Sequence, residues 1–185
     1  HGTNPAVRKL QYDAVRDFTP IAMVGGTPNI LVVTPPVPVS DLKSFIDYAK
    51  ANPAKLNWGT GGIGLLNHLA LEQFRAAAGL EEAVYAHYRG IGPAITDMLG
   101  GQINVLMPGL AAALPHIRAK KLKPIAVTGL KRHPLLPEVP LLAETRGDLA
   151  AFGRALPQRV HPMWLLRVLP NNVLCHVGIT YGFKG

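Results

Sequence analysis

Gly59, Gly61 and Gly64 stand between a short apolar run, Leu56-Asn57-Trp58, and a stretch of helical period carrying Leu65, Leu66, Leu69, Ala70 and Phe74. A glycine-rich turn from strand into helix presents backbone N–H groups and the positive helix end to an anion, whether phosphate or carboxylate. The Gly-x-Gly-x-x-Gly spacing is that of a dinucleotide-binding fingerprint. Such a site also needs an acidic residue about 20 positions on, at the C-terminal end of the next strand, to take the ribose hydroxyls. Glu81 and Glu82 have that separation, yet they precede the run Ala83 to Tyr88 and so fall at the wrong end of its strand. The ligand end carries His87, Tyr88, Arg89 and Gly90. Arg89 there suits the 2′-phosphate of NADP, or a carboxylate. In the carboxylate reading the Thr60 hydroxyl and the N–H groups of Gly61, Gly62, Gly64 and Leu65 are donors, and Tyr88, Arg89 and Gly90 arrive from the next strand end. In the plainest reading the glycines only let strand and helix pack closely.

Other candidates are weaker. His68 follows the loop among apolar neighbours and reads as structural. His87 at the cleft edge can meet an anion as imidazolium below its ordinary pKa near ~6.5. Asp97 reads as solvated or capping, with no second carboxylate spaced to pair with it. Seven histidines and one cysteine give no metal-ligand spacing, His161 and Cys175 being far apart, so neither a metal nor a cofactor is expected. No serine sits in a Gly-x-Ser-x-Gly elbow, and no set of side chains suggests catalysis.

The elements that must position the loop can be read from turns and periods. Thr19 to Val33 holds two apolar β-rich runs parted by Gly25-Gly26-Thr27-Pro28, which predicts two buried strands. Pro35, Pro36 and Pro38 then enforce an extended connector, and Ser40 is the expected N-cap of a helix bearing Leu42, Phe45, Ile46 and Ala49 before Asn52-Pro53. Strands follow at Lys55 to Trp58, Ala83 to Tyr88, Ile103 to Met107 and Lys123 to Thr128. Between them run a helix ending near Gly79, a short one with Pro93 in its first turn, and an Ala-rich one from Leu110 with Pro115 as an expected kink. This alternation predicts an α/β fold, an open, mostly parallel sheet with helices on both faces.

Composition agrees with one globular domain: 185 residues, 48% apolar, 16% charged, with Gly 19 and Pro 17 marking many tight turns. The formal charge of +8 is scattered rather than interleaved with aromatics, so nucleic acid is not the expected partner. The one dense cluster, Ile117 to Pro124, reads as a solvated helix end and loop. No apolar run reaches the ~18 residues of a membrane helix, and no leader peptide is recognisable. From Arg146 to Gly185 no clean period appears, and those residues are not assignable to the fold.

The segments "NPAVRKLQYDAVRDFTPIAMVGGTPNILVV", "NWGTGGIGLLNHLALEQF", "HYRGIGPAITDMLGGQINVLM", "ALPHIRAKKLKPIAVTG" and "KRHPLLPEVPLLAE" resemble, in order, the Bug-type receptors of tripartite tricarboxylate transporters. The resemblance covers residues 1–145. It implies a lobe of the periplasmic-binding-protein type II kind: a second lobe with adjoining hinge strands, half of a periplasmic two-lobed trap. Such a trap closes on a small carboxylate, is a monomer, catalyses nothing and hands its ligand to membrane subunits. It also implies that the loops at Trp58 to Leu65 and at Tyr88 to Gly90 line the cleft. This chain departs from the pattern at Leu65, where a Ser is customary, at His87, where a Pro is, and at Pro108-Gly109, where a polar pair such as Asp-Asn is common. These departures predict a shifted ligand choice or weaker binding. The leader and first strand are expected upstream of His1, and residues 146–185 look like an out-of-frame or foreign junction after Glu144. An effector-sensing domain of a transcription regulator shares the architecture and stays open beside an NADP-binding enzyme domain.

Overall fold

The computed structural model describes residues 27–80, 83–129 and 131–142, with Lys9, residues 11–13 and residues 16–17. The first strand expected near Thr19, the Gly25-Gly26 turn, Glu81, Glu82, and the stretch 146–185 with His161 and Cys175 lie outside the described residues.

In chain order the elements are β1 (Ile30–Val33), α1 (Leu42–Ala51), a 3₁₀ turn (Pro53–Lys55), β2 (Asn57–Thr60), α2 (Leu66–Ala78), β3 (Val84–His87), α3 (Ile91–Leu99), β4 (Val105–Leu106), α4 (Leu110–Arg118) and β5 (Lys123–Val127). One sheet orders them β3-β2-β4-β1-β5. β2 pairs in parallel with β3 and β4, whereas β1 is antiparallel to both β4 and β5. Four of the five strands therefore run one way, and the sheet is mixed rather than purely parallel. β1 is reversed in its pairing with both neighbours, and a proline connector from Thr34 to Ser40 then carries the chain to α1. Lys123 pins that connector, its amino group donating to the carbonyls of Val37 at 2.5 Å and Val39 at 3.2 Å.

Both faces of the sheet are covered, and the pattern of β1 shows how. Leu31 and Val33 point into a core with Phe45 of α1, Leu71 and Phe74 of α2, and Trp58 of β2. Ile30 and Val32 point into the other, with Ala94 and Met98 of α3 and Leu110 and Ala113 of α4. Because all four residues of β1 are buried, the strand reads as a continuous apolar run instead of an alternating one.

Two local expectations need correction. Asp41, not Ser40, caps α1: its carboxylate accepts from the Ser44 N–H at 2.8 Å while the Ser44 hydroxyl accepts from the Asp41 N–H at 3.1 Å. A serine at the third helical position thus completes the reciprocal box that a glutamate or glutamine usually supplies. The strand expected at Lys55 begins two residues later, at Asn57, because Pro53 opens a 3₁₀ turn over Pro53–Lys55. Pro115 lies inside α4, and Lys120 and Lys121 are exposed beyond its end, as a solvated helix terminus requires.

Candidate functional site

β2, β3 and β4 are parallel neighbours, and each leads straight into a helix: Thr60 through residues 61–65 into α2, His87 through 88–90 into α3, Leu106 through 107–109 into α4. Three helix N-termini are thereby gathered at one sheet edge. α2 packs on one face, while α3 and α4 pack on the other. The loop after β2 is thus flanked by loops departing to the opposite face, the crevice where open α/β sheets take ligands.

The three N-termini share a second property. Leu65, Gly90 and Gly109 occupy the cap positions of α2, α3 and α4, none provides a side-chain cap, and none of these helices has an acidic residue in its first turn. α1, which does not start from this edge, carries its own carboxylate cap at Asp41. First-turn N–H groups without a side-chain cap, at a positive dipole end, favour an external anion; at α4 the Leu110 N–H already donates to the Pro28 carbonyl at 2.8 Å, which leaves α2 and α3 as the stronger anion ends. Pro108 and Gly109, placed where a polar pair would offer its own oxygens, leave that role open.

The loops themselves are closed tightly on one another. The Tyr88 N–H donates to the Thr60 carbonyl at 2.9 Å and the Gly90 N–H to the Gly61 carbonyl at 2.8 Å. A Cβ on Gly61 would lie 3.2 Å from the Ile91 nitrogen and 3.3 Å from the Gly90 carbonyl carbon, and one on Gly59 would collide with Ile103. Gly64 and Gly90 adopt φ of 76° and 131°, where a side chain is strained. Each fingerprint glycine is therefore used by the protein's own packing or backbone, which removes the need for a pyrophosphate to explain the spacing.

Among the sequence-predicted residues, the structure separates inward from outward groups. Thr60 is fully buried; its hydroxyl sits 2.7 Å from His87 Nδ1 and 3.4 Å from the Gly62 nitrogen. The expectation of a hydroxyl free for ligand is thus met by one already bonded within the loop. The Gly64 N–H donates to His68 Nδ1 at 3.1 Å, so the structural reading of His68 has a specific partner. Tyr88 is half-buried, and burial followed by the neighbouring Asp97 carboxylate raises its hydroxyl above the ordinary tyrosine pKa, keeping it a donor at neutral pH. Asp97, read as solvated or capping, is its companion; the nine-residue separation gave no periodic signal of that. Arg89 is exposed and has no ion-pair partner among the described residues. Leu65 is 45% exposed and Ile63 is 63% exposed, so the loop presents hydrocarbon beside its N–H groups.

Behind the loop lies a polar file. Arg75 donates to Glu72 at 2.8 Å and to the Leu80 carbonyl at 2.9 Å. Burial alone would raise the Glu72 carboxyl, but Arg75, with Tyr85 beside it, holds it below its ordinary value. Burial, then the adjacent Glu72, pushes the Tyr85 hydroxyl well above the usual range. An open hollow of about 340 Å³ lined by Lys50, Pro53, Leu56, Trp58 and Leu80 lies at the other end of β2, away from all three helix N-termini.

Comparison with known proteins places this geometry among relatives. The family described as the tripartite tricarboxylate transporter family receptor matches residues 2–162. A protein of Pseudomonas sp. strain P51, named for the tcbD-tcbE intergenic region, is 34% identical over 139 residues, 75% of this chain and 41% of its own length. The structure of R. palustris Rpa4515 with adipate superposes with a TM-score of 0.72 at 27% identity, covering 95% of this chain and 69% of that one. MatC from Rhodopseudomonas palustris, with bound malate, gives 0.69 at 25% identity over 83% and 60%. The chain spans about two fifths of the length of that Pseudomonas relative.

Proposed function

The chain belongs to the tripartite tricarboxylate transporter family of receptors, and from that premise we propose that it forms one lobe, with adjoining hinge strands, of a periplasmic receptor for a small carboxylate. The observation that carries this reading is the gathering of three helix N-termini without side-chain caps and the unpaired Arg89 on one sheet edge. The N–H groups in the first turn of α2 hold one carboxylate, the loop from Gly61 to Leu65 setting its approach while the Gly62, Gly64 and Leu65 N–H groups stay bonded to Thr60, His68 and the Gly62 carbonyl, and Arg89 fixes the remainder of the ligand. Thr60, Tyr88 and Gly90 shape this half-site from within. No step of bond making is involved. Ligand bridging two lobes stabilises the closed form, which membrane subunits of the transporter then recognise, an equilibrium shifted by differential affinity alone.

Leu65 and Ile63 add a preference. A ligand whose body is hydrocarbon covers their exposed surface, whereas hydroxyl groups there would lose water without gaining partners. A thermal-shift panel on the 185-residue chain with adipate, malate, citrate, nicotinate, amino acids and NADP tests both points. Adipate at ~100 times its dissociation constant should add about 2.7 kcal/mol, raising the melting temperature by about 5–10 °C. Malate and citrate should give smaller shifts, and Leu65→Ser should narrow the gap. A response to NADP alone, or to none of these compounds, would overturn the assignment.

A further inference from the structure

Two imidazoles hold opposite ends of the glycine loop. His87, at the end of β3, sits 2.7 Å from the Thr60 hydroxyl where the loop begins, and His68, in the first turn of α2, accepts from the Gly64 N–H where it ends. The two rings meet edge to face with centroids 5.2 Å apart. Tyr85 completes the group, stacked 5.9 Å from His87 at 10° and edge-on to His68 at 5.9 Å. Resting on the carboxylate-receptor reading above, we propose that His68 and His87 are positioning residues. They clamp the loop in its anion-holding shape, and the clamp stays closed only while His68 keeps Nδ1 free of a proton.

The chemistry of the bond requires this. A backbone N–H can donate only to an unprotonated ring nitrogen, so the neutral His68 carries its hydrogen on Nε2. That nitrogen faces the Glu72 carboxylate at 4.0 Å. An imidazolium would carry N–H at both positions, point one at the Gly64 N–H and release the loop's last turn. The groups facing His68 are Glu72 on its own helix, itself paired with Arg75, and Tyr85 and His87 from β3. Burial, and then His87 when charged, oppose protonation of His68 more than Glu72 favours it, so its pKa lies below the ordinary value. The clamp therefore holds at neutral pH and opens in acid. Thr60 belongs to the same device: with Gly62 N–H 3.4 Å from its oxygen, its own hydrogen is free to go to His87 Nδ1.

The test uses the full chain, ¹⁵N-labelled at histidine and glycine, without ligand and then with adipate. Ligand-free spectra at pH 7 should show His68 as the Nε2–H tautomer, with the Gly64 amide moving as His68 titrates. An Nδ1–H tautomer, or a Gly64 amide that ignores the titration, overturns the clamp. With adipate, His68→Leu should weaken binding about tenfold, and His68→Asn, whose amide oxygen stands close to Nδ1, should stay within about threefold of the parent. Parent affinity should fall in acid more steeply than that of His68→Asn, since protonation of adipate is common to both. Equal affinity for the parent and His68→Leu sinks the proposal. A parent chain that binds neither adipate nor malate sinks the receptor reading instead, while the spectra still decide the clamp.

Discussion

Arg89→Ala should lower carboxylate affinity about 30-fold or more and leave the ligand-free melting temperature unchanged. The two halves of this expectation come from the same fact. Arg89 is exposed and unpaired among the described residues, so in the empty lobe it holds nothing together. Surface substitutions of that kind change stability by about 0.5 kcal/mol or less. With ligand present, the guanidinium makes charge-assisted, often bidentate bonds to a carboxylate. Removing one partner of such a pair costs about 2–5 kcal/mol. The helix N-termini remain, so residual binding should persist and retain its preference for anions. Arg89→Lys should recover only part of the loss, since a point charge replaces a planar fork. Calorimetric titration of both variants with adipate checks this. Unchanged affinity in Arg89→Ala removes Arg89 from the site and leaves the helix N-termini as the sole anion holders.

Much of this arrangement was legible in the chain because glycine and proline mark it so densely. The order of β2, α2, β3, α3, β4, α4 and β5 follows from turns at Gly79, Gly90 and Gly100 and from apolar periods between them. The position of Arg89 was legible for the same reason: a strand ending near His87 must deliver the next residues to the carboxyl edge of the sheet. What escaped is non-local. The reversal of β1 depends on pairing with β4 and β5, residues more than 70 positions away, and nothing within Ile30–Val33 encodes its direction. The inward turn of Thr60 depends on His87, 27 positions on. The choice of Asp41 over Ser40 as cap is local, yet it was hidden because the partner at the third helical position is Ser44, outside the usual glutamate or glutamine pattern.

Trp58→Ala should be the most destabilising single change in the described core. Trp58 is 1% exposed, within β2, and it is the largest fully buried side chain among the described residues. It meets Phe45 of α1 edge-on at 5.8 Å and Tyr85 of β3 at 6.3 Å, while Phe45 in turn meets Phe74 of α2 at 6.1 Å. The indole therefore joins α1 to β2 and β3 on a single face, and through Phe45 the cluster reaches α2. Its truncation removes the transfer energy of the ring and leaves a cavity continuous with the open hollow it already lines, for a loss of about 3–5 kcal/mol. For a chain of this size that lowers the melting temperature by about 10 °C. Val84→Ala is the control, because Val84 is 70% exposed on the edge strand β3 and should change stability by no more than about 0.5 kcal/mol. Trp58→Phe, which keeps an aromatic in the cluster, should fall between them. The consequence reaches the site, since Trp58 precedes Thr60 by two residues on the strand whose end sets the glycine loop. Urea denaturation of the three variants separates the outcomes. If Trp58→Ala loses less than about 1 kcal/mol, the aromatic cluster does not organise this face, and the rigidity of the loop must come from the backbone bonds between Thr60, Gly61, Tyr88 and Gly90 alone.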